Sequence, residues 1–117
     1  MAADLKSERQ ERAARNQSLF REVNERLEET MSRLSTFHDF ICECAFPECT
    51  ENISLTHDEY GEVRRHPARF AVKQGHVVPE VELVVDGSMA DRYVVVEKIE
   101  RGAEVAAHFD PRRRVTT

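Results

Sequence analysis

The segment 40-FICECAFPECTENISLT-56 places all three cysteines of the 117-residue chain, Cys42, Cys44 and Cys49, within eight positions. Its β-branched and aromatic residues on either side of Ala45-Phe46-Pro47-Glu48 predict two strands, residues 40–44 and 52–55, joined by a turn. Residues i and i+2 of a regular strand share a face, so Cys42 and Cys44 can point at one centre from a strand end. Pro47 then turns the chain, and Cys49 returns from the far side. Three thiolates so placed form most of a tetrahedral Zn²⁺ shell, which needs one more Cys or His. There is no fourth cysteine, and the histidines are His38, His57, His66, His76 and His108. His76 follows a Gln74-Gly75 turn, from which a side chain can fold back over a neighbouring hairpin. It is the favoured fourth ligand, with His38 and His57 as alternatives. A closed Cys3His shell leaves no position for water or substrate, which makes the expected zinc structural rather than catalytic. Two other readings exist for the cysteines. They can be small buried hydrophobes, or redox thiols in which Cys42 or Cys44 pairs with Cys49 and zinc release is the switch.

Upstream, residues 4–35 contain no Gly or Pro. Phe20, Val23, Leu27, Met31 and Leu34 recur at steps of three or four, the stripe of an amphipathic helix. Glu8 with Arg12, Glu11 with Arg15, Glu22 with Arg26, and Glu29 with Arg33 add i, i+4 pairs. Before Leu19 the stripe thins to Ala13 and Ala14, so the first 18 or so residues are expected to project, fray or await a partner helix. The stripe is too short to indicate a long coiled coil.

Downstream, Thr56-His57-Asp58-Glu59 is a capping box with Leu55 and Tyr60 at staple positions. It predicts a short helix over 57–66 that Pro67 ends. Strands follow at 70–73, 81–85 and 93–99, the last two forming a hairpin through the loop at Gly87. Pro79-Glu80-Val81 also suits a short helix. Glu97-Lys98 reads as a charged strand exit and Gly102 as the end of the sheet, with one or two helical turns over 103–109. The expected fold is therefore α+β, a long N-terminal helix packed on a small antiparallel sheet with a short helix and a zinc knuckle. Its parts are a helix (residues 1–35), a zinc-binding α+β domain (36–109) and a basic tail (110–117).

The chain has 22 acidic and 17 basic residues, a net charge of -5, which opposes non-specific binding to nucleic acid or anionic membranes. Locally, Arg64, Arg65, Arg69 and Lys73 outweigh Glu62, and Arg112, Arg113 and Arg114 make the tail basic. No apolar run approaches the roughly 20 residues of a membrane span. The start, MAADLKSERQ, lacks the basic and apolar blocks of a signal peptide. A cytoplasmic, reducing setting with free thiols is expected. GxGxxG, GK[ST], GxSxG and HExxH are all missing, so nucleotide, serine-hydrolase and zincin chemistry lack their marks. Tyr60 and Tyr93 read as core residues. The expected role is a non-enzymatic interaction or regulatory module whose protein partner docks on the N-terminal helix or on the basic face from Arg64 to Lys73.

The stretches NQSLFREVNERLEE, CECAFPECT, LTHDEYGEVRRHPARFAVKQGH and YVVVEK together resemble a family of small, uncharacterised proteins of high-GC bacteria, over roughly residues 16–98. In that family a Pro-Gly-His turn commonly stands where this chain has Gln74-Gly75-His76. The resemblance implies one site made of Cys42, Cys44, Cys49 and His76, and implies no catalytic residue or substrate.

Overall fold

The computed structural model describes residues 2–31 and 36–112. In chain order these form α1 (Ala2–Thr30), β1 (Phe37–Ile41), β2 (Asn52–Thr56), α2 (His57–Val63), β3 (Arg69–Val72), β4 (Glu82–Asp86), β5 (Val94–Lys98) and α3 (Glu100–His108). The class is α+β, with two small antiparallel sheets in place of one. β1 pairs with β2, and the second sheet runs β3-β5-β4. Residues 79–81 form a turn, not a helix, closed by Val81 N donating to Val78 O at 3.0 Å. Among the described residues no helix is long and apolar enough to cross a membrane.

β1 ends at Ile41, earlier than the sequence suggests, because the next three residues change partners. Cys42 N donates to Glu51 O at 3.0 Å, continuing the β1–β2 ladder, and Glu43 N donates to Ala71 O at 2.9 Å, on β3. The Cys42-Glu43-Cys44 tripeptide thus passes the chain from the first sheet to the free edge of the second. Phe40 and Tyr60, both fully buried, stack at 4.4 Å between ring centres beside this crossing.

The expected apolar stripe of α1 faces the core only in part: Met31 packs against it and Phe20 and Leu27 are half-buried, but the stripe is not the most buried face of the helix. Val23 is 47% exposed and Leu19 68%, while Gln10, Ala14, Gln17, Arg21 and Asn24 are buried. Leu34 and Arg33 lie outside the described residues. The buried face repeats at steps of three and four just as an apolar one would, but apart from Ala14 its members are polar. The reason is what they meet. Gln17 and Asn24 bond to residues 41–43, and the Arg21 guanidinium donates to Pro67 O at 2.6 Å and to Ala106 O at 2.7 Å over the Phe70 ring. Ala106 O is one of the last carbonyls of α3, where a cation meets unpaired acceptors and the negative end of the helix dipole. Ala13 and Ala14, where the apolar stripe thins, are buried.

Two further basic groups expected at the surface are inside. Lys98 is fully buried with Glu82, its Nζ 2.5 Å from Gln17 Oε1 and 3.2 Å from Glu82 Oε1. Burial pulls the Lys98 pKa down against the attraction of Glu82. Arg64, counted on the basic face, lies buried between Glu25 and Asp110. Each of the two cations has a carboxylate partner, the condition under which a charge tolerates a low dielectric. Gly102 does not end the sheet. It sits within the first turn of α3, where an added Cβ would stand 3.3 Å from Gln10 O and 3.3 Å from Lys98 Cε, so its small size lets α3 approach α1.

The capping box forms as expected, with Glu59 N donating to Thr56 Oγ1 at 3.1 Å and Thr56 N to Glu59 Oε1 at 2.9 Å. α2 stops at Val63, one turn before Pro67. The Arg92 guanidinium, bonded to both Glu59 oxygens at 2.8 and 2.7 Å, holds the Glu59 pKa below its usual value.

Two outcomes follow from this arrangement. Val23→Gln should change unfolding free energy by no more than about 0.5 kcal/mol, whereas Asn24→Ala, which strands buried groups on Ile41 and Glu43, should cost about 2 kcal/mol or more. Urea denaturation of both variants decides which face of α1 is inside. Glu59→Gln, which keeps the capping box but loses the ion pair with Arg92, should cost up to about 1 kcal/mol at pH 7. Because the folded Glu59 pKa lies below the unfolded one, its contribution is present above about pH 4.3 and is lost as pH falls through the folded value. The difference between wild type and variant should therefore narrow in acid, which thermal melts at pH 7 and pH 3 would register.

Candidate metal centre

Four side chains converge at the crossing between the sheets. One donor atom each from Cys42, Cys44, Cys49 and His76 lies within 4.8 Å of every other, with Cys42 and Cys44 buried and Cys49 and His76 half-buried. These are the four residues singled out in the sequence. His57 is elsewhere, its Nε2 2.6 Å from Glu28 Oε2, and His38 lies on β1, opposite Leu55.

Local geometry explains each position. Cys42 and Cys44 flank Glu43 and project to the same side, as alternation in an extended segment requires. Cys49 is returned by the loop after Pro47, where Cys49 N donates to Phe46 O at 3.0 Å. His76 is carried by the turn that follows β3, closed by His76 N donating to Lys73 O at 3.0 Å. Gly75, the third residue of that turn, has φ 91°, a left-handed conformation open to glycine at little cost. The Phe46 ring stands edge-on to the His76 imidazole at 6.0 Å.

His76 Nδ1 is 3.6 Å from both Cys42 Sγ and Cys49 Sγ. Zinc with Zn–S of about 2.3 Å and Zn–N of about 2.0 to 2.1 Å at tetrahedral angles sets S···N at about 3.6 Å. Both distances therefore fit the ion.

Each sulfur also receives a backbone N–H. Lys73 N donates to Cys42 Sγ at 3.1 Å, and the amides of Phe46 and Glu51 serve Cys44 and Cys49. Such donors favour thiolate over thiol. In the protein without metal the three sulfurs share protons unequally. A hydrogen bond from Cys42 is the largest influence on Cys44 and, against the opposing effect of burial, brings it down to about 5. The same bond, then burial, pushes Cys42 up, and burial pushes Cys49 up despite the Glu51 amide. Cysteines bind zinc as thiolates, so metal entry displaces the protons that these sulfurs carry.

Glu43 is the residue that sequence reasoning missed. It is fully buried with its carboxylate on the side opposite the thiols. Burial raises its pKa, while the Tyr60 hydroxyl, Asn24 amide and Ala71 N–H draw it back. A carboxylate between two cysteines of a strand must face away from them, and that alternation was the available signal. Its buried partners, on three other elements, had none.

No protein-family model, curated protein or solved structure matches this chain.

Gly75→Ala should impose about 1 to 2 kcal/mol of left-handed strain on the turn that presents His76, with no clash, since nothing lies within 4 Å of the added Cβ. The expected result is roughly tenfold weaker zinc retention in a chelator competition, at about 1.4 kcal/mol per decade.

Proposed function

We propose that this chain is a small zinc-binding protein whose Cys3His centre is structural and which acts as a non-enzymatic interaction or regulatory module of the cytoplasm. The observation that carries the reading is the convergence of four donor atoms within 4.8 Å, from Cys42, Cys44, Cys49 and His76. The set is complete in itself, so it offers no open position for a substrate. Bound zinc would supply a cross-link, and these residues place it between the loop after β1 and the turn after β3. Cys42, Cys44 and Cys49 would hold it as thiolates under their three amide donors, and His76 through Nδ1. For the partner surface, the exposed Leu19 and Val23 favour the outer face of α1. The basic face is weaker support, because Arg64 is buried and Arg69 and Lys73 are paired with Glu97 and Glu51.

A second reading, favoured by the partial exposure of Cys49 beside two buried thiols, is a redox sensor. Hydrogen peroxide would take two electrons from Cys49 and either Cys42 or Cys44, be reduced to water with uptake of two protons, and leave a disulfide that releases the zinc.

Elemental analysis of protein purified under reducing conditions separates these. The structural reading predicts one zinc per chain in wild type, and loss of both zinc and cooperative melting in Cys44→Ser and His76→Ala. Metal-free wild type that still melts cooperatively would contradict it. Peroxide that ejects zinc reversibly while the fold persists would establish the sensor instead.

A further inference from the structure

The segment that carries Cys42 is held from its other side by α1 and α2. Asn24 Oδ1 accepts from Ile41 N at 2.9 Å, and Asn24 Nδ2 donates to Ile41 O at 2.8 Å and to Glu43 Oε2 at 2.9 Å. Gln17 Nε2 donates to the Glu43 carbonyl at 2.9 Å. The Tyr60 hydroxyl reaches Glu43 Oε2 at 2.6 Å, and Ala71 N donates to Glu43 Oε1 at 3.0 Å. With Glu43 N donating to Ala71 O at 2.9 Å, every polar group of this buried residue has a partner.

In an extended segment the direction of residue 43 fixes that of residues 42 and 44, and a shift of one position would turn both thiols away from the site. The face of α1 that does the holding is polar, so its docking depends on acceptors and donors standing at set places rather than on apolar area. Gln17 and Asn24 are both fully buried, and leaving such groups unpaired is costly.

We infer that Glu43 is the positioning residue of the Cys3His centre and that, through it, docking of α1 and affinity for zinc are linked. The inference rests on the zinc reading above. Linkage is reciprocal: the factor by which a docked α1 tightens zinc is the factor by which zinc tightens docking.

Competition titration with a chromophoric chelator gives zinc affinities for wild type, Tyr60→Phe, Asn24→Ala and Glu43→Gln. The expected loss is about 10- to 100-fold for Glu43→Gln and Asn24→Ala and about threefold for Tyr60→Phe, the range in which outer-shell partners of metal ligands act. One zinc per chain is retained. In zinc-loaded Asn24→Ala the amides of Ile41, Cys42 and Glu43 should exchange with deuterium faster than in wild type. Arg92→Gln, which breaks the ion pair with Glu59 and touches neither Glu43 nor a ligand, should leave affinity unchanged. Wild-type affinity in all three variants, even with lowered melting temperatures, would overturn the inference and leave Glu43 a purely structural residue. Should Glu43→Gln fail to fold, Tyr60→Phe, which removes one hydroxyl from a buried ring, decides the matter. A wild type that binds no zinc overturns both readings, whereas unaltered affinity in the variants of a wild type that does bind it overturns this one alone.

Discussion

The carboxylate of Glu43 sits in the middle of the molecule, and most of the architecture is arranged around the need to satisfy it. Removing such a group from water costs several kcal/mol unless donors replace the lost hydration. Three do so here, from Asn24 on α1, Tyr60 on α2 and Ala71 on β3. Each comes from a different element, so the carboxylate is stable only when all three are assembled. The same residue joins the two sheets through its bond to Ala71 O and aims the cysteines on either side of it. One buried acid thereby couples secondary structures that share little other hydrogen bonding with the segment between β1 and β2.

The polar interior extends beyond that point. Lys98 with Glu82 and Gln17, Arg64 with Glu25 and Asp110, and Arg21 on the carbonyls of Pro67 and Ala106 are all buried. Networks of this kind add little net stability over an apolar core of the same volume, but they discriminate strongly between the intended packing and alternatives. A chain of this size has a modest apolar core, centred on Phe40, Leu55, Tyr60, Phe70 and the valines of β5. A metal cross-link between the loop after β1 and the turn after β3 would add the stability that the core lacks.

Signals that act over short distances were legible in the sequence. The capping box at Thr56 and Glu59, the strands around Phe70 and Val95, and the turn at Gly75 all rest on a few adjacent residues, and all formed. The four residues of the cluster were legible in part: spacing singles out the three cysteines, while His76 was preferred to His38 and His57 only from the turn before it. The orientation of α1 was not. Periodicity finds a helix by its apolar residues, and the face this helix buries is made of Gln17, Arg21 and Asn24, whose partners are 17 to 85 positions away in the chain. Lys98 and Arg64 looked like surface charges for the same reason, since Glu82 and Asp110 become their neighbours only in the folded molecule. Long-range polar pairing leaves no period to detect.

The most direct measurement is X-ray absorption at the zinc edge on metal-loaded protein in reducing buffer. Coordination by Cys42, Cys44, Cys49 and His76 predicts a first shell of three sulfurs at about 2.3 Å and one nitrogen at about 2.0 to 2.1 Å, with the outer-shell pattern of an imidazole. A shell dominated by oxygen, or one with fewer than three sulfurs, would contradict the account.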